Sequence, residues 1–344
     1  MDKTKPENQD ILRDVRKRSQ SPNLDCGVSL SKRSYYEETS EKTIRFQVLD
    51  PLWKEDVHAK SGKVYGAETK TEPEDRMDTQ IVAVFCLCDD MLKALHHFED
   101  PQSQVGDAEV MTTAIVATLY FGGNMEKARM HMQEYGYIPK MLGKSRFNRR
   151  YHRIADLFLT LFSLLGETWK ELNENSIYVM DSFPIAACDN YRICRCHLYQ
   201  GEEWRGYQAS KRRFFYGLKI HVLITEHGQP VEFFLSPGSY SDTNALKVYF
   251  FDLSEGSKLT GDKAYTDYVI EDVINEANIS FSSLRKKNSS RPVPPWVHYL
   301  MSSNRKMVET TGSMIERLLP KQIHAVTSMY FEIKVALFFL ACSI

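Results

Sequence analysis

The spacing of apolar and polar positions changes character twice along the chain. Residues 1–76 scatter short apolar residues among Lys, Glu, Asp, Ser and Thr with no sustained period. Such a segment cannot bury enough apolar area to offset chain entropy, so it reads as a disordered extension. From Met77 the pattern turns helical. Thr79–Glu99 carries IVAVFCLCDDMLKALHHF, a helix of largely buried character. Further helical periods cover Asp107–Phe121, Asn124–Tyr135 and Lys144–Asn173, separated by Gly- and Pro-bearing turns, with Asp107 and Asn124 as N-caps. Residues 77–173 therefore predict a small all-helical domain.

After Asn175 the period shortens. Ile177–Met180 is an apolar strand ending at Asp181, and Phe214–Thr225 (FFYGLKIHVLIT) is strongly β-prone. His227-Gly228 turns it into a second strand, Pro230–Leu235, that closes at Pro237-Gly238. A helix from Thr243, capped near Asp242, precedes a strand Lys258–Gly261 that runs into Asp262. Helices over Arg305–Leu319 and His324–Ser343 follow. This order predicts an α/β fold for 174–344, built on a mixed sheet rather than a repeat array.

Composition adds limits. At 344 residues, 42% hydrophobic and 26% charged, the chain has material for a substantial core. It has no apolar run long enough to span a bilayer and no basic-then-apolar leader, so a cytoplasmic, membrane-free setting is expected. Seven cysteines without framework spacing fit reduced thiols, and Cys188, Cys194, Cys196 and His197 lack the paired spacing of a zinc site. Basic residues number 44 against 45 acidic ones. A neutral total can still hide local basic surface. Three clusters stand out: Lys144–Arg153, Lys211–Arg213 and Arg285–Arg291. Within the first, Arg146, Arg149, Arg150 and Arg153 share one helical face, either a solvated face or a grip on phosphates.

Candidate chemistry rests on acids. Asp181 and Asp262 each stand at the C-terminal end of an apolar strand, where open α/β sheets gather ligands. Glu309 lies on the helix that follows. An acid at a strand end also serves as a plain turn cap, but two strand-end aspartates with a helix-borne glutamate form a hard, all-oxygen set suited to Mg²⁺ or Mn²⁺. Two such ions about 4 Å apart clamp the oxygens of an in-line phosphoryl displacement. Glu316 shares the helical face of Glu309, and spacing does not choose between them. Lys219 and His221 point to one face of their strand, either toward a scissile phosphate or along a polar edge. Lys211, Arg212 and Arg213 lead into that strand and suit DNA backbone contacts.

Long segments carry a resemblance: TQIVAVFCLCDDMLKALHHFEDPQ, DAEVMTTAIVATLYFGGN, KSRFNRRYHRI, YVMDSFPIAACDNYRI, RGYQASKRRFFYGLKIH, GDKAY and KMVETTGSMIERLLPKQIHAVT. Together they make residues 77–344 similar to the 982 family of insertion-sequence transposases, within the DDE class whose core is RNase H-like. The resemblance implies Asp181 in YVMDSFP as the first catalytic acid, Asp262 in GDKAY as the second, and Glu309 as the third. Arg305 and Glu309 match the Arg and Glu of a Y-x₂-R-x₃-E-x₆-K pattern, whose Tyr and Lys fall here on Ser302 and Glu316.

The implied protein cuts phosphodiesters at transposon ends and joins the freed 3′-hydroxyl to target DNA, using two Mg²⁺ or Mn²⁺ ions. It would act as a homo-oligomer on double-stranded DNA, at the bacterial nucleoid when bound. A nuclease that cuts without joining, and an inactive or domesticated DNA-binding remnant, are the rival readings. Residues 1–76 lie outside the resemblance and balance fifteen basic against fifteen acidic residues. They are expected to be dispensable; a DNA-holding arm would be basic.

Overall fold

The computed structural model describes residues 73–209, 211–285, 289–320 and 323–344. The expected disorder of the N-terminal segment falls outside them up to residue 72. The first helix, α1 (Pro73–Ala94), already starts ahead of Met77. Helices α2 (Asp107–Phe121) and α3 (Met125–Glu134) follow the predicted spans closely. The helix expected over 144–173 is two, α4 (Lys144–Arg153) and α5 (Ala155–Glu171), because Ile154 leaves helical geometry at φ −97° and ψ 18°.

Capping follows the same local logic, with two corrections. Asn124 caps α3 by accepting the Lys127 amide, as predicted. Asp107, in contrast, is the first helical residue of α2; Gly106 holds the cap position and donates its amide to Glu109 Oε2 at 2.7 Å. Helix α2 is buried nearly all round, and its Thr112, Thr113 and Thr118 hydroxyls each donate to the carbonyl one turn back. Burial therefore leaves none of those hydroxyls unpaired.

Six strands form one mixed sheet: β1 (Ile177–Asp189), β2 (Arg205–Gln208), β3 (Arg213–Thr225), β4 (Pro230–Pro237), β5 (Lys258–Gly261) and β6 (Ser280–Ser283). Strands run in the order β2-β3-β1-β5-β6, and β4 also pairs with β3, on the edge β2 occupies further toward its start. The β1–β3 and β3–β4 pairs are antiparallel; β1–β5 and β5–β6 are parallel. An antiparallel meander extended by two parallel strands is the mixed sheet expected of an RNase H-like core. Strand β1 continues well past Asp181, so that acid lies within the strand and not at its end. Gly217 faces a bulge in β1: a Cβ there would sit 2.3 Å from the Ile185 carbonyl oxygen.

Helices α6 (Asp242–Leu246) and α7 (Tyr268–Glu276) flank β5, and Ser241, not Asp242, caps α6. Helix α8 (Pro295–Leu318) starts earlier than expected, and α9 (Ser328–Ser343) later. The apolar core is continuous across the helices and the sheet, from Ile81 through Val179 to Leu340. Helix α9 joins them: it packs on α5, α2 and β4. Its Phe331, Leu337, Phe339 and Leu340 are fully enclosed, each contributing about 1.5–3 kcal/mol by burial. Trp169 on α5 donates to the Ser343 carbonyl at 3.1 Å.

Candidate active site

The register of the parallel pair sets the first two acids side by side. Met180 of β1 lies opposite Gly261 of β5, and the next residues along are Asp181 and Asp262. Asp181 is half-buried and accepts the Ser182 amide at 2.8 Å. Burial pushes its carboxyl up to about 6, opposed by the Ser182 amide and reinforced by the charge of Asp262.

Helix α8 brings the third acid. It seats Met301 and Val308 against the sheet, where they line a small concavity with Met180, Asp181, Gly261 and Asp262. The same seating turns Arg305 toward the aspartates. Its Nη1 donates to Asp262 Oδ1 at 2.8 Å, and its Nε lies 3.1 Å from Glu309 Oε1, an ion pair without hydrogen-bond alignment. Glu309 is largely exposed. Glu316, two turns on, is exposed and has no ion-pair partner among the described residues. Arg305 thus links Glu309, and not Glu316, to Asp262.

A second ring of polar groups lies beside Asp181; as site residues the sequence reading names its Lys219 and His221 but not Ser182, Ser236, Asp242 or Tyr265. Ser182 donates from Oγ to Asp242 Oδ1 at 2.8 Å, and Lys219 Nζ reaches the same oxygen at 3.2 Å and the Tyr240 carbonyl at 2.8 Å. His221 is fully buried, with Nδ1 2.8 Å from the Tyr265 hydroxyl and Nε2 2.9 Å from the Ser236 hydroxyl. Burial pushes its imidazole down to about 3, so it stays neutral in any working buffer. The expected phosphate contact of His221 is therefore corrected: both nitrogens are spent inside the core. Lys219 is half-buried and held by Asp242, so it supports the site from beneath. Asp242 carries no sequence signal beyond that of a helix-start acid.

With this geometry stand the comparisons. Residues 172–324 match the family model of the transposase DDE domain. The chain carries a transposase DDE domain. Comparisons with curated proteins and with solved structures give no significant match. The matched segment contains Asp181, Asp262, Arg305 and Glu309 together, and it supports a transposase function, which implies DNA binding.

Around the DDE domain the predicted basic residues divide. On α4, Arg146, Arg149 and Arg153 are exposed as expected. Arg150 is not: its Nε lies 2.5 Å from Asp107 Oδ1 and its Nη1 donates to Ser103 Oγ. With Arg150 84% and Asp107 94% out of solvent, this pair fastens α4 to α2, and Arg150 leaves the predicted DNA-facing set. Lys211, Arg212 and Arg213 are exposed, Arg213 pairing with Asp189. In the third cluster Arg285 is bound to buried Glu271 and Arg291 to Asp272, while Lys286 and Lys287 lie outside the described residues.

Divalent metal use is implied by the DDE domain. The donor set fits: Asp181, Asp262 and Glu309 offer carboxylate oxygens of the hard type such ions prefer. Among the described residues, the group of His, Cys, Asp or Glu whose ligand atoms all lie within 4.8 Å of one another is a different one, His97, Glu99 and Asp107. Those atoms are already engaged, Asp107 by Arg150 and His97, and Glu99 by the Asp107 amide. They read as a helix-start ion-pair cluster. The three candidate acids Asp181, Asp262 and Glu309 are less tightly drawn, because the Arg305 guanidinium lies between Asp262 and Glu309.

Proposed function

We propose that this chain is the transposase of an insertion sequence, cutting phosphodiesters at transposon ends and joining the 3′-hydroxyl to target DNA. The observation that carries the reading is the placement of Asp181 beside Asp262, with Arg305 tying Asp262 to Glu309. In this reading Asp181, Asp262 and Glu309 hold two Mg²⁺ or Mn²⁺ ions, which when bound supply Lewis acidity at the attacking and leaving oxygens. The protein's own share is positioning. Ser182 and Asp242 fix the first aspartate, and Arg305, bound to Asp262, offers a cation to a scissile phosphate at the acids.

Residues 77–173 serve as the DNA-binding region and 174–344 as the catalytic core, with Arg146, Arg149 and Arg153 contributing phosphate contacts. The chain works as a homo-oligomer on double-stranded DNA in the cytoplasm. Membership of the 982 family rests on the segment resemblance alone.

The test is incubation of the full chain with labelled duplex ends of the element that encodes it, with and without Mg²⁺. Cleavage and strand transfer in wild type, both lost in Asp181→Asn, Asp262→Asn and Glu309→Gln and retained in Glu316→Gln, support the proposal. Cutting that never leads to joining indicates a nuclease. DNA binding without cutting indicates a remnant. Activity surviving either aspartate change refutes the site.

A further inference from the structure

Strands β2 and β3 form a hairpin at the end of the sheet away from the acids. Tyr207 and Phe214 are cross-strand partners on one face of it, with ring centroids 4.9 Å apart. Both rings are open to solvent, Tyr207 at 55% and Phe214 at 45%. The Arg205 guanidinium lies over the Phe214 ring, 4.5 Å from its centroid. The opposite face is anchored, since Phe215 is buried in the core. Exposed cations surround the rings: Lys211 and Arg212 in the turn, which have no ion-pair partner among the described residues, and Arg213. Nearby, Arg192 lies across the ring of Tyr191, itself 74% exposed. Glu202, Glu203 and Asp189 are the acids of this end, and Glu202 and Asp189 are paired with Arg205 and Arg213. Counting Arg192, Arg195, Arg205, Lys211, Arg212 and Arg213 against them leaves a positive surface studded with aromatic rings.

A cross-strand aromatic pair by itself stabilises a hairpin. It needs neither a ring of cations nor two rings left half open to water. We propose that the β2–β3 hairpin is a platform for unpaired DNA bases, which stack on Tyr207 and Phe214 while Arg205, Lys211 and Arg212 hold the strand's phosphates. Aromatic faces accept any base, and the flanking cations supply the sequence-independent attraction. Phe215, next to Phe214, pairs with Asp189 at the far end of β1. That places the platform roughly 25 Å from Asp181 along the strand. The gripped bases therefore lie about seven steps from the cleavage position, on a strand already opened.

The proposal rests on the DNA-handling function above. Its test measures binding of the full chain to a fluorescently labelled oligothymidylate and to a duplex of equal length. A 2-aminopurine in the single strand reports stacking by quenching. Wild type should bind the single strand and quench the probe. Tyr207→Thr with Phe214→Thr should weaken single-strand binding roughly tenfold or more and abolish quenching, with duplex binding changed less than about twofold. The Leu pair at both positions keeps apolar packing without π-faces and should behave like the Thr pair. The Trp pair should restore binding. Absence of single-strand binding by wild type, unaltered quenching in the Leu pair, or equal losses on single strand and duplex would each overturn the proposal. Single-strand binding without any duplex binding would leave it standing and count instead against the proposed action at duplex ends.

Discussion

Replacing Asp181 by Asn should stabilise the metal-free protein even as it ends DNA cutting. The carboxyl is half-buried beside Asp262, and burial lifts it from 3.8 to about 6. Holding such a group ionised at pH 7.5 costs about 3 kcal/mol relative to the unfolded chain. The sign is fixed by the direction of the rise. Between about pH 4 and 6 the folded state keeps a proton that the unfolded state releases, so stability falls as pH climbs through that window. Asn removes the charge and keeps an oxygen for the Ser182 amide, but its new NH₂ must find a partner, at about 1 kcal/mol. The net gain is about 2 kcal/mol, or about 4–8 °C in melting temperature for a domain of this size. Thermal melting in EDTA at pH 7.5 and pH 5 reads the effect: the variant should melt higher at 7.5, and the gap should narrow at 5. Mg²⁺ should raise the melting temperature of wild type and not of the variant. A variant less stable than wild type in EDTA at pH 7.5, or one with the same pH profile, would refute the reasoning.

Arg149→Glu should leave melting unchanged and flatten the salt dependence of DNA binding. Arg150→Met should instead cost about 3 kcal/mol by stranding Asp107, measured by urea unfolding, and an equal melting temperature would return Arg150 to the DNA-facing set. Gly217→Ala should destabilise the fold strongly, because its methyl would collide with the Ile185 carbonyl oxygen across the β1 bulge. A soluble variant with wild-type melting would show that β1 yields there.

Much of the sheet was legible because its strands carry strong local signals. Lys258–Gly261 appears at its predicted span, and β3 and β4 extend theirs by only a residue or two. The missed strands, Arg205–Gln208 and Ser280–Ser283, are short and mostly polar, and owe their state to partners already in place. The two aspartates were legible because each follows a short apolar run, although β1 continues well past Asp181. The supporting ring was not, since Asp242 and Ser182 become neighbours only when α6 folds back over β1. Arg150 and His221 show the same limit. Helical and strand periodicity group each with its neighbours on one face of its own element. Neither period can tell that Asp107, 43 residues earlier, or Tyr265, 44 residues later, waits on that face.

Helix α9 gives the molecule a property of timing. The Trp169–Ser343 bond spans 174 residues of chain, and α9 adds the last cover to apolar faces of α2, α5 and β4. In chain order all three acids therefore precede the helix that completes the core. Any product released before α9 keeps its aspartates but exposes the faces of α5 and β4, an invitation to proteases. Loss of α9 is therefore expected to shorten the protein's lifetime through protease attack on those uncovered faces, even with every acid in place.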